Sequence, residues 1–142
     1  MEQARSGRAG DDLGGVVRRL YAALAGDVEG GFEELLAPEG LLMIGTAPEE
    51  WWEGRDEVAR VFRAQAAARG EVEIVDSSPA IREAGAVGWV ADRVTVRLSD
   101  GMEIPMRITL VWRRADGAWR LVQGHASVGI GNAEAFDRDV TL

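Results

Sequence analysis

The sequence predicts an α+β fold, in which helices cover one face of a largely antiparallel sheet. Helical spacing of apolar residues is confined to the first half of the chain, up to about Gly70. After it come four long stretches rich in β-branched residues, with junctions at Asp100-Gly101 and Asp116-Gly117. Asp-Gly between such stretches is a strong hairpin signal. Helices followed by a run of strands favour helices layered on a sheet.

The first helix is predicted from Asp11 to about Ala25, with Asp11 or Asp12 as its N-cap. Its apolar residues recur at helical spacing and form one buried stripe. That stripe consists of Leu13, Val16, Val17, Leu20, Tyr21 and Leu24.

Two further helices are predicted before the strands begin. FEELLA (32–37) predicts a short second helix that ends before Pro38, and LLMIG (41–45) then predicts a short strand. TAPEEWWEG (46–54) is predicted as a loop. The third helix runs from Arg55 to about Ala68, with Val58, Val61 and Phe62 on one face.

The remaining chain predicts four strands and two short terminal segments. The strands are expected at about 72–84, 86–98, 103–114 and 118–129. The last twelve residues predict a tail with one helical turn, and residues 1–10 predict a flexible arm. Residues 11–142 are therefore expected to form a single domain, which suits their number.

The composition excludes several kinds of chemistry. There is no cysteine, which removes disulfides and thiolate nucleophiles, and no lysine, which removes Schiff-base catalysis. A single histidine, His125, argues against a conventional zinc site. We expect no metal and no cofactor.

Charge and hydropathy limit the partners and the compartment. The net charge of −8 argues against binding nucleic acid through its phosphates. The sequence has no apolar run long enough for a membrane helix and no N-terminal apolar segment typical of a secretory signal. We expect a cytoplasmic protein without membrane association.

Two-residue turns at both Asp-Gly pairs would assign each strand residue to a face of the sheet. The face richer in large apolar groups is predicted to meet the helices, with its polar residues gathered at one end. Its cross-strand rows are Trp89–Trp112–Leu121, Ala91–Leu110–Gln123, Arg93–Ile108–His125 and Thr95–Met106–Ser127. A three-residue loop at the second turn would instead pair Arg107 with His125.

This inner face predicts a small-molecule pocket. A buried arginine must find an anion, a carboxylate or water, and an apolar cavity with a few convergent polar groups is typical of ligand sites. Tyr21 and Trp52 are expected to contribute from the helices and the preceding loop. The candidate ligand-binding residues are Arg93, Thr95, Gln123, His125, Ser127, Trp89, Trp112, Leu110, Met106, Ile108, Tyr21 and Trp52.

Three stretches of the sequence carry a family resemblance. They are GTAPEEWWEG (45–54), WVADRVTVRL (89–98) and RITLVWRRADGAWRLVQGHASVG (107–129). From about residue 11 the chain resembles the SnoaL-like branch of the nuclear transport factor two-like superfamily. The same region is similar to the calmodulin-dependent protein kinase association domain.

This resemblance implies a cystatin-like cone, in which a strongly curved sheet wraps around the helices and a pocket lies at the open end. It also implies a homodimer formed through the outer face of the sheet. In the kinase association domain, the arginine that matches Arg93 lines the pocket.

Catalytic members that resemble ketosteroid isomerase and polyketide cyclase depend on a carboxylate in the pocket. The predicted register places no Asp or Glu on the inner face of the last three strands. Asp92 is expected to point outward, and Glu103 lies near a turn. Asp11, Asp12 and Glu73 are the remaining candidates for a catalytic carboxylate.

His125 therefore has three alternative roles: a core residue with satisfied hydrogen bonds, a ligand contact, or a general base. The leading hypothesis is a homodimeric domain that binds a small, mostly apolar molecule bearing a carboxylate or carbonyl, without catalysis. The second is an isomerase, cyclase, dehydratase or hydrolase acting on a keto or hydroxy compound, with His125 as proton shuttle and Arg93 stabilising the oxyanion. The third is an oligomerisation module.

Overall fold

The computed structural model describes residues 12–141, so the predicted arm over residues 1–10 lies outside the described part. The chain forms helices and strands in the order expected of an α+β fold. They are α1 (Leu13–Leu24), a 3₁₀ helix (Phe32–Leu35), β1 (Leu42–Ile44), β2 (Trp51–Glu53), α2 (Arg55–Arg69), β3 (Glu73–Asp76), β4 (Ala80–Ala84), β5 (Val87–Arg97), β6 (Glu103–Ala115), β7 (Ala118–Ser127) and α3 (Asn132–Phe136).

The two long helices confirm the helical spacing of the sequence. Asp12 caps α1, because its Oδ1 accepts a hydrogen bond of 2.7 Å from the backbone N–H of Gly15. The predicted stripe of α1 is buried apart from Leu24, which is partly buried. The second predicted helix is a single 3₁₀ turn, and its Phe32 ring stacks on Phe62 of α2 with centroids 5.5 Å apart.

The strands form one mixed, curved and unclosed sheet of seven strands. Its order is β2-β1-β7-β6-β5-β3, and β4 also pairs with β5. The β1–β7 pair is parallel and the other pairs are antiparallel.

Two short segments differ from the prediction. The predicted loop 46–54 ends in β2, which pairs with β1. The predicted strand 72–84 is divided into β3 and β4 by Ser77, Ser78 and Pro79. Proline cannot donate a ladder hydrogen bond, which favours a break at this point.

The turn at Asp116-Gly117 is the two-residue turn that the sequence predicts. Ala115 pairs with Ala118, and both turn residues have positive φ angles of 53° and 77°. Positive φ at both positions is the geometry of a type I′ turn, which suits the twist of a hairpin.

The turn at Asp100-Gly101 has one residue more than predicted. The Leu98 N–H donates to the Met102 carbonyl at 2.8 Å, so Ser99, Asp100 and Gly101 form a three-residue connection. Only Gly101 within it has a positive φ, of 94°. The extra residue shifts the β5–β6 register by one, so Arg93 pairs with Arg107 and Asp92 with Ile108.

A β-bulge in β7 causes the second departure from the predicted register. Trp112 pairs with Leu121 as expected, but Val111 pairs with Gln123, which leaves Val122 without a partner. Beyond the bulge His125 pairs with Thr109, so neither the predicted partner Ile108 nor the alternative Arg107 is correct.

These two shifts decide which side chains reach the core. From β6 the inner face carries Met106, Ile108, Leu110 and Trp112, as predicted. From β5 and the end of β7 the opposite set faces inward: Gly88, Val90, Asp92, Val94, Gly124 and Ala126. The core lies between this face and the helices, with Trp112, Leu20, Leu36 and Leu121 fully buried.

Substitution of two adjacent residues on β5 tests this register. Val94 is 2% exposed, whereas Arg93 is exposed. We expect Val94→Ala to lower the free energy of unfolding by about 2 kcal/mol, because it removes buried methyl groups. Arg93→Ala is expected to change it by less than about 0.5 kcal/mol. Urea unfolding measures both values, and the reverse order would contradict the register.

Candidate functional site

The twelve ligand-binding candidates of the sequence divide between the two faces of the sheet. Six lie on the inner side or in the core: Tyr21, Trp52, Met106, Ile108, Leu110 and Trp112. The other six lie on the outer face: Trp89, Arg93, Thr95, Gln123, His125 and Ser127. The predicted clustering of Arg93, His125 and Ser127 beneath the helices is therefore wrong.

The reason is the register. The three-residue connection at Ser99–Gly101 reverses the phase of β5, and the bulge at Val122 reverses the second half of β7. A one-residue shift moves every side chain of a strand to the opposite face. The polar residues therefore lie on one face of the sheet, as the sequence predicted, but on the outer one.

Two cross-strand rows, in which all residues but Ala91 are polar, cross the outer face. One row is Arg93–Arg107–Ser127, and the other is Ala91–Thr109–His125. A hollow of about 470 Å³ opens beside them, where the edge of β5 passes from β3 to β4. Its lining residues are Ser78, Ala91, Asp92, Arg93, Arg107, Ile108 and Thr109.

Two of the lining residues, Arg93 and Arg107, are arginines that pair across neighbouring strands. Arg107 donates from Nε to the Ser127 hydroxyl at 3.3 Å. Neither Arg93 nor Arg107 forms an ion pair with a carboxylate among residues 12–141. Like charges on directly opposed strand residues repel each other, so this pair favours an anion between or beside the two arginines.

Arg107 is the site residue that the sequence analysis missed. The predicted register assigned it to the face opposite Arg93, together with Asp92. The signal that identifies it is alternation along β6: Arg107, Thr109 and Val111 share one face, whereas Ile108 and Leu110 are buried. Only the correct register shows that Arg93 belongs to the same face as Arg107.

Asp92 is the opposite case, because it points inward and is 6% exposed. One carboxylate oxygen, Oδ2, accepts from the Tyr21 hydroxyl at 2.8 Å and from the Ser77 hydroxyl at 2.7 Å. The other, Oδ1, accepts from the backbone N–H of Ser78 at 3.0 Å. The expectation that Asp92 faces outward, and that β5–β7 present no acid to the interior, is wrong.

These hydrogen bonds stabilise a buried carboxylate that would otherwise cost several kcal/mol. They also tie α1, β5 and the β3–β4 connection together at one point. Burial raises the pKa of the Tyr21 hydroxyl, and its hydrogen bond to Asp92 and the negative charge of that carboxylate raise it further. Tyr21 is therefore a hydrogen-bond donor at neutral pH and not a base.

His125 and Asp92 cannot act on the same atom as acid and base, because their side chains lie on opposite faces of the sheet. Residues 12–141 contain no group of three potential metal-ligating side chains. Within the same range, no helix is long and apolar enough to cross a membrane.

Comparison with protein families identifies the fold. A model of the SnoaL-like domain matches residues 16–131. This chain belongs to the SnoaL-like domain family. The resemblance that the sequence carries is thereby confirmed, and so is the cystatin-like α+β class. No curated protein matches the chain.

Solved structures agree with the family assignment. A proposed dehydratase of the NTF2-like family from Streptomyces avermitilis has a TM-score of 0.74 at 19% identity, covering 84% of this chain and 94% of its own. A proposed calcium/calmodulin-dependent protein kinase type II association domain from Thiobacillus denitrificans has a TM-score of 0.71 at 19% identity. The match covers 83% of this chain and 95% of that domain.

A proposed ketosteroid isomerase from Parabacteroides distasonis superposes with a TM-score of 0.64 at 20% identity, covering 81% of this chain and 86% of its own. At such identities the likeness concerns the SnoaL-like fold alone. The different activities suggested for these neighbours show that the fold does not decide function.

The single tyrosine of the chain makes the Asp92 cluster measurable. We expect no phenolate absorbance from the folded protein as the pH rises past the ordinary pKa of 10.0. The Tyr21 hydroxyl ionises there in the unfolded chain but stays protonated in the folded one. Its contribution to the free energy of unfolding is therefore fully present below pH 10 and decreases above it. A spectrophotometric titration beside circular dichroism checks this, and phenolate formation before unfolding would contradict it.

Proposed function

We propose that this SnoaL-like domain binds a small molecule bearing a carboxylate, in the hollow on the outer face of its sheet, and does so without catalysis. The observation that carries the proposal is the cross-strand pair Arg93–Arg107, which lines the hollow and has no carboxylate partner among residues 12–141. Arg93 keeps the role of anion anchor that the sequence suggested, and Arg107 joins it.

The chemistry of the lining supports a carboxylate. A guanidinium presents paired N–H donors that match the two oxygens of a carboxylate, and such charge-assisted hydrogen bonds are stronger than neutral ones. An anion between two opposed arginines also offsets their mutual repulsion.

The remainder of the lining suits a compact and partly apolar body. Ala91 and the Thr109 methyl group offer apolar contacts, while the Thr109 and Ser78 hydroxyls offer hydrogen bonds to a second polar group. Trp89 and Val111 form the adjacent outer row and extend the apolar surface. The hollow volume of about 470 Å³ is in the range of small-molecule sites.

A binding role without catalysis follows from how the proton-transfer groups are engaged. Asp92 accepts hydrogen bonds from three partners, and its Tyr21 partner keeps its proton. His125 lies in the row next to the arginines and does not line the hollow. The hollow brings together anion-binding groups, and the acid in its lining, Asp92, is already engaged by three donors.

Calorimetry with benzoate, and with benzamide as the uncharged ligand of the same shape, tests the proposal. We expect benzoate to bind and benzamide to bind much more weakly, because only the carboxylate pairs with the arginines. Arg93→Gln and Arg107→Gln should each weaken benzoate binding about tenfold, which corresponds to the loss of one charge-assisted hydrogen-bonded contact.

Arg113→Gln is the matched control, since Arg113 lies on the same face of β6 and does not line the hollow. It should leave benzoate binding unchanged. If Arg113→Gln weakened benzoate binding as much as Arg93→Gln, the substitutions would act through the overall charge of the face, and the specific site would be contradicted. Equal affinity for benzoate and benzamide would refute the carboxylate site.

A second candidate function is proton-transfer catalysis on a keto or hydroxy compound. One observation favours it: Asp92 is a buried carboxylate that also belongs to the lining of the hollow. In this case Asp92 replaces His125 as the proton acceptor, and Arg93 and Arg107, which lie on the opposite face of the sheet, take no part in the reaction.

Turnover of a small β,γ-unsaturated ketone distinguishes this candidate from binding alone. If Asp92 is the acceptor, Asp92→Asn should lower kcat at least about a hundredfold, the usual size of a general-base contribution, while His125→Gln leaves it unchanged. Unfolding curves of Asp92→Asn must show that it remains folded. A turnover that survives Asp92→Asn would exclude this mechanism.

A further inference from the structure

The segment that follows β7 leaves the sheet beside one of the two arginines of the hollow. A methyl group at Gly129 would lie 3.6 Å from Cζ of Arg107 and 3.7 Å from its Nε. Arg107 also donates to the hydroxyl of Ser127, the last residue of β7. Residues 128–141, which we call the tail segment, therefore begin at the edge of the proposed carboxylate site.

The tail segment is poorly anchored to the rest of the protein. None of the five residues of α3 (Asn132–Phe136) is buried. Two large apolar side chains of the segment are exposed, Ile130 by 59% and Phe136 by 47%. Ile130 lies between two glycines, which permit more backbone conformations than other residues. The segment has little buried surface to lose when it moves, which is typical of parts that open at low free-energy cost.

The tail segment also carries a carboxylate beside an aromatic ring. Asp137 follows Phe136 directly, and its positive φ of 55° ends α3 and turns the chain. The segment has three acids, Glu134, Asp137 and Asp139, against one basic residue, Arg138. None of these acids forms an ion pair within residues 12–141. A ring next to a carboxylate has the same chemistry as the small molecule that the hollow is proposed to bind.

Asp137 is within reach of both arginines. It lies eight residues beyond Gly129, a length of about 12 Å when helical and about 26 Å when extended. Arg93 lies one strand beyond Arg107, which is about 5 Å across the sheet. A turn of the chain at its two glycines would bring the Asp137 carboxylate to the arginine pair and the neighbouring ring to the apolar part of the lining.

We infer that the tail segment is an internal competitor for the hollow: the Asp137 carboxylate pairs with Arg93 and Arg107, the Phe136 ring covers the apolar lining, and a small carboxylate must displace both in order to bind. This inference rests on the proposed function, because the tail segment and the ligand use the same arginines. No residue of the tail segment lines the hollow in the structure, which therefore represents the open state.

Tethering makes such a competitor effective even when its contact is weak. A group on a short linker is present at an effective concentration in the millimolar range. Each fraction of the time that the tail segment spends in the hollow is lost to the free ligand, so the apparent dissociation constant of the ligand rises.

Calorimetry with benzoate on the full chain tests the competition. We expect Asp137→Asn to tighten benzoate binding about threefold, the factor for a tail segment that occupies the hollow about two thirds of the time. Phe136→Ser should act in the same direction. In an Arg107→Gln background, Asp137→Asn should change the affinity much less, because the tail segment has then lost its own partner.

Asp116→Asn is the matched control. It removes the same charge at the turn between β6 and β7, where asparagine also accepts the positive φ. It should leave benzoate binding unchanged. Asp137 and Phe136 are exposed, so their substitution should not unfold the protein, which circular dichroism checks. Equal tightening by Asp116→Asn and Asp137→Asn would show only the effect of net charge and would contradict the competitor.

Hydrogen exchange of residues 130–139 reports on the tail segment directly. Saturating benzoate should make these amides exchange about threefold faster in the wild-type protein, because it displaces the tail segment from the hollow. It should have no effect in Asp137→Asn. Slower exchange with benzoate would show that the tail segment closes over the ligand, which would overturn the competition.

The affinities also separate this inference from the proposed function. Benzoate binding of equal affinity to the wild type and to Asp137→Asn would overturn the competitor and leave the carboxylate site standing. Benzoate binding that is detected only in Asp137→Asn would support both. No benzoate binding by either protein would overturn both.

Discussion

One buried carboxylate fixes the phase of the strand on which the site depends. Asp92 can face the interior only because Tyr21, Ser77 and the Ser78 backbone all donate to it. An unpaired carboxylate at 6% exposure would cost more free energy than a typical domain can spare. With Asp92 held inside, the alternation of β5 directs Arg93 outward, where it meets Arg107 across the ladder. The inner cluster and the outer hollow are two results of one constraint.

The fold class, the helices and the curved sheet were predictable, because the residue spacings that predict them do not depend on where an element begins or on which turn precedes it. The stripe Leu13–Leu24 keeps its spacing even if the helix begins one residue later, and β6 keeps its alternation whichever turn precedes it. The register of β5 was not predictable, because Asp-Gly occurs both in two-residue turns and in three-residue connections. The turn at Asp116-Gly117 took the first form and the one at Asp100-Gly101 the second.

Of the residues that line the hollow, the sequence predicted only Arg93 and Ile108, and it did not predict the location of the hollow. Arg93, Thr95, His125 and Ser127 do share a face with each other, as the sequence indicated. Two local irregularities, each of one residue, moved that face from the core to the surface. The burial of Asp92 could not be predicted from the sequence, because aspartate is ordinarily a surface residue. Its burial depends on three donors that come from elements far apart in the chain.

The unpaired Val122 gives β7 two phases within ten residues. Before it, Trp119 and Leu121 pack into the core; after it, Gly124 and Ala126 do so, in the opposite parity. The alternation of apolar and polar residues therefore disappears when it is averaged over the whole strand, because the inward positions of the two halves have opposite parity. The strand therefore packs into the core in both halves, through residues of opposite parity, and directs Gln123, His125 and Ser127 outward in its second half. A single inserted residue thus changes, partway along β7, which side chains are available at the outer surface.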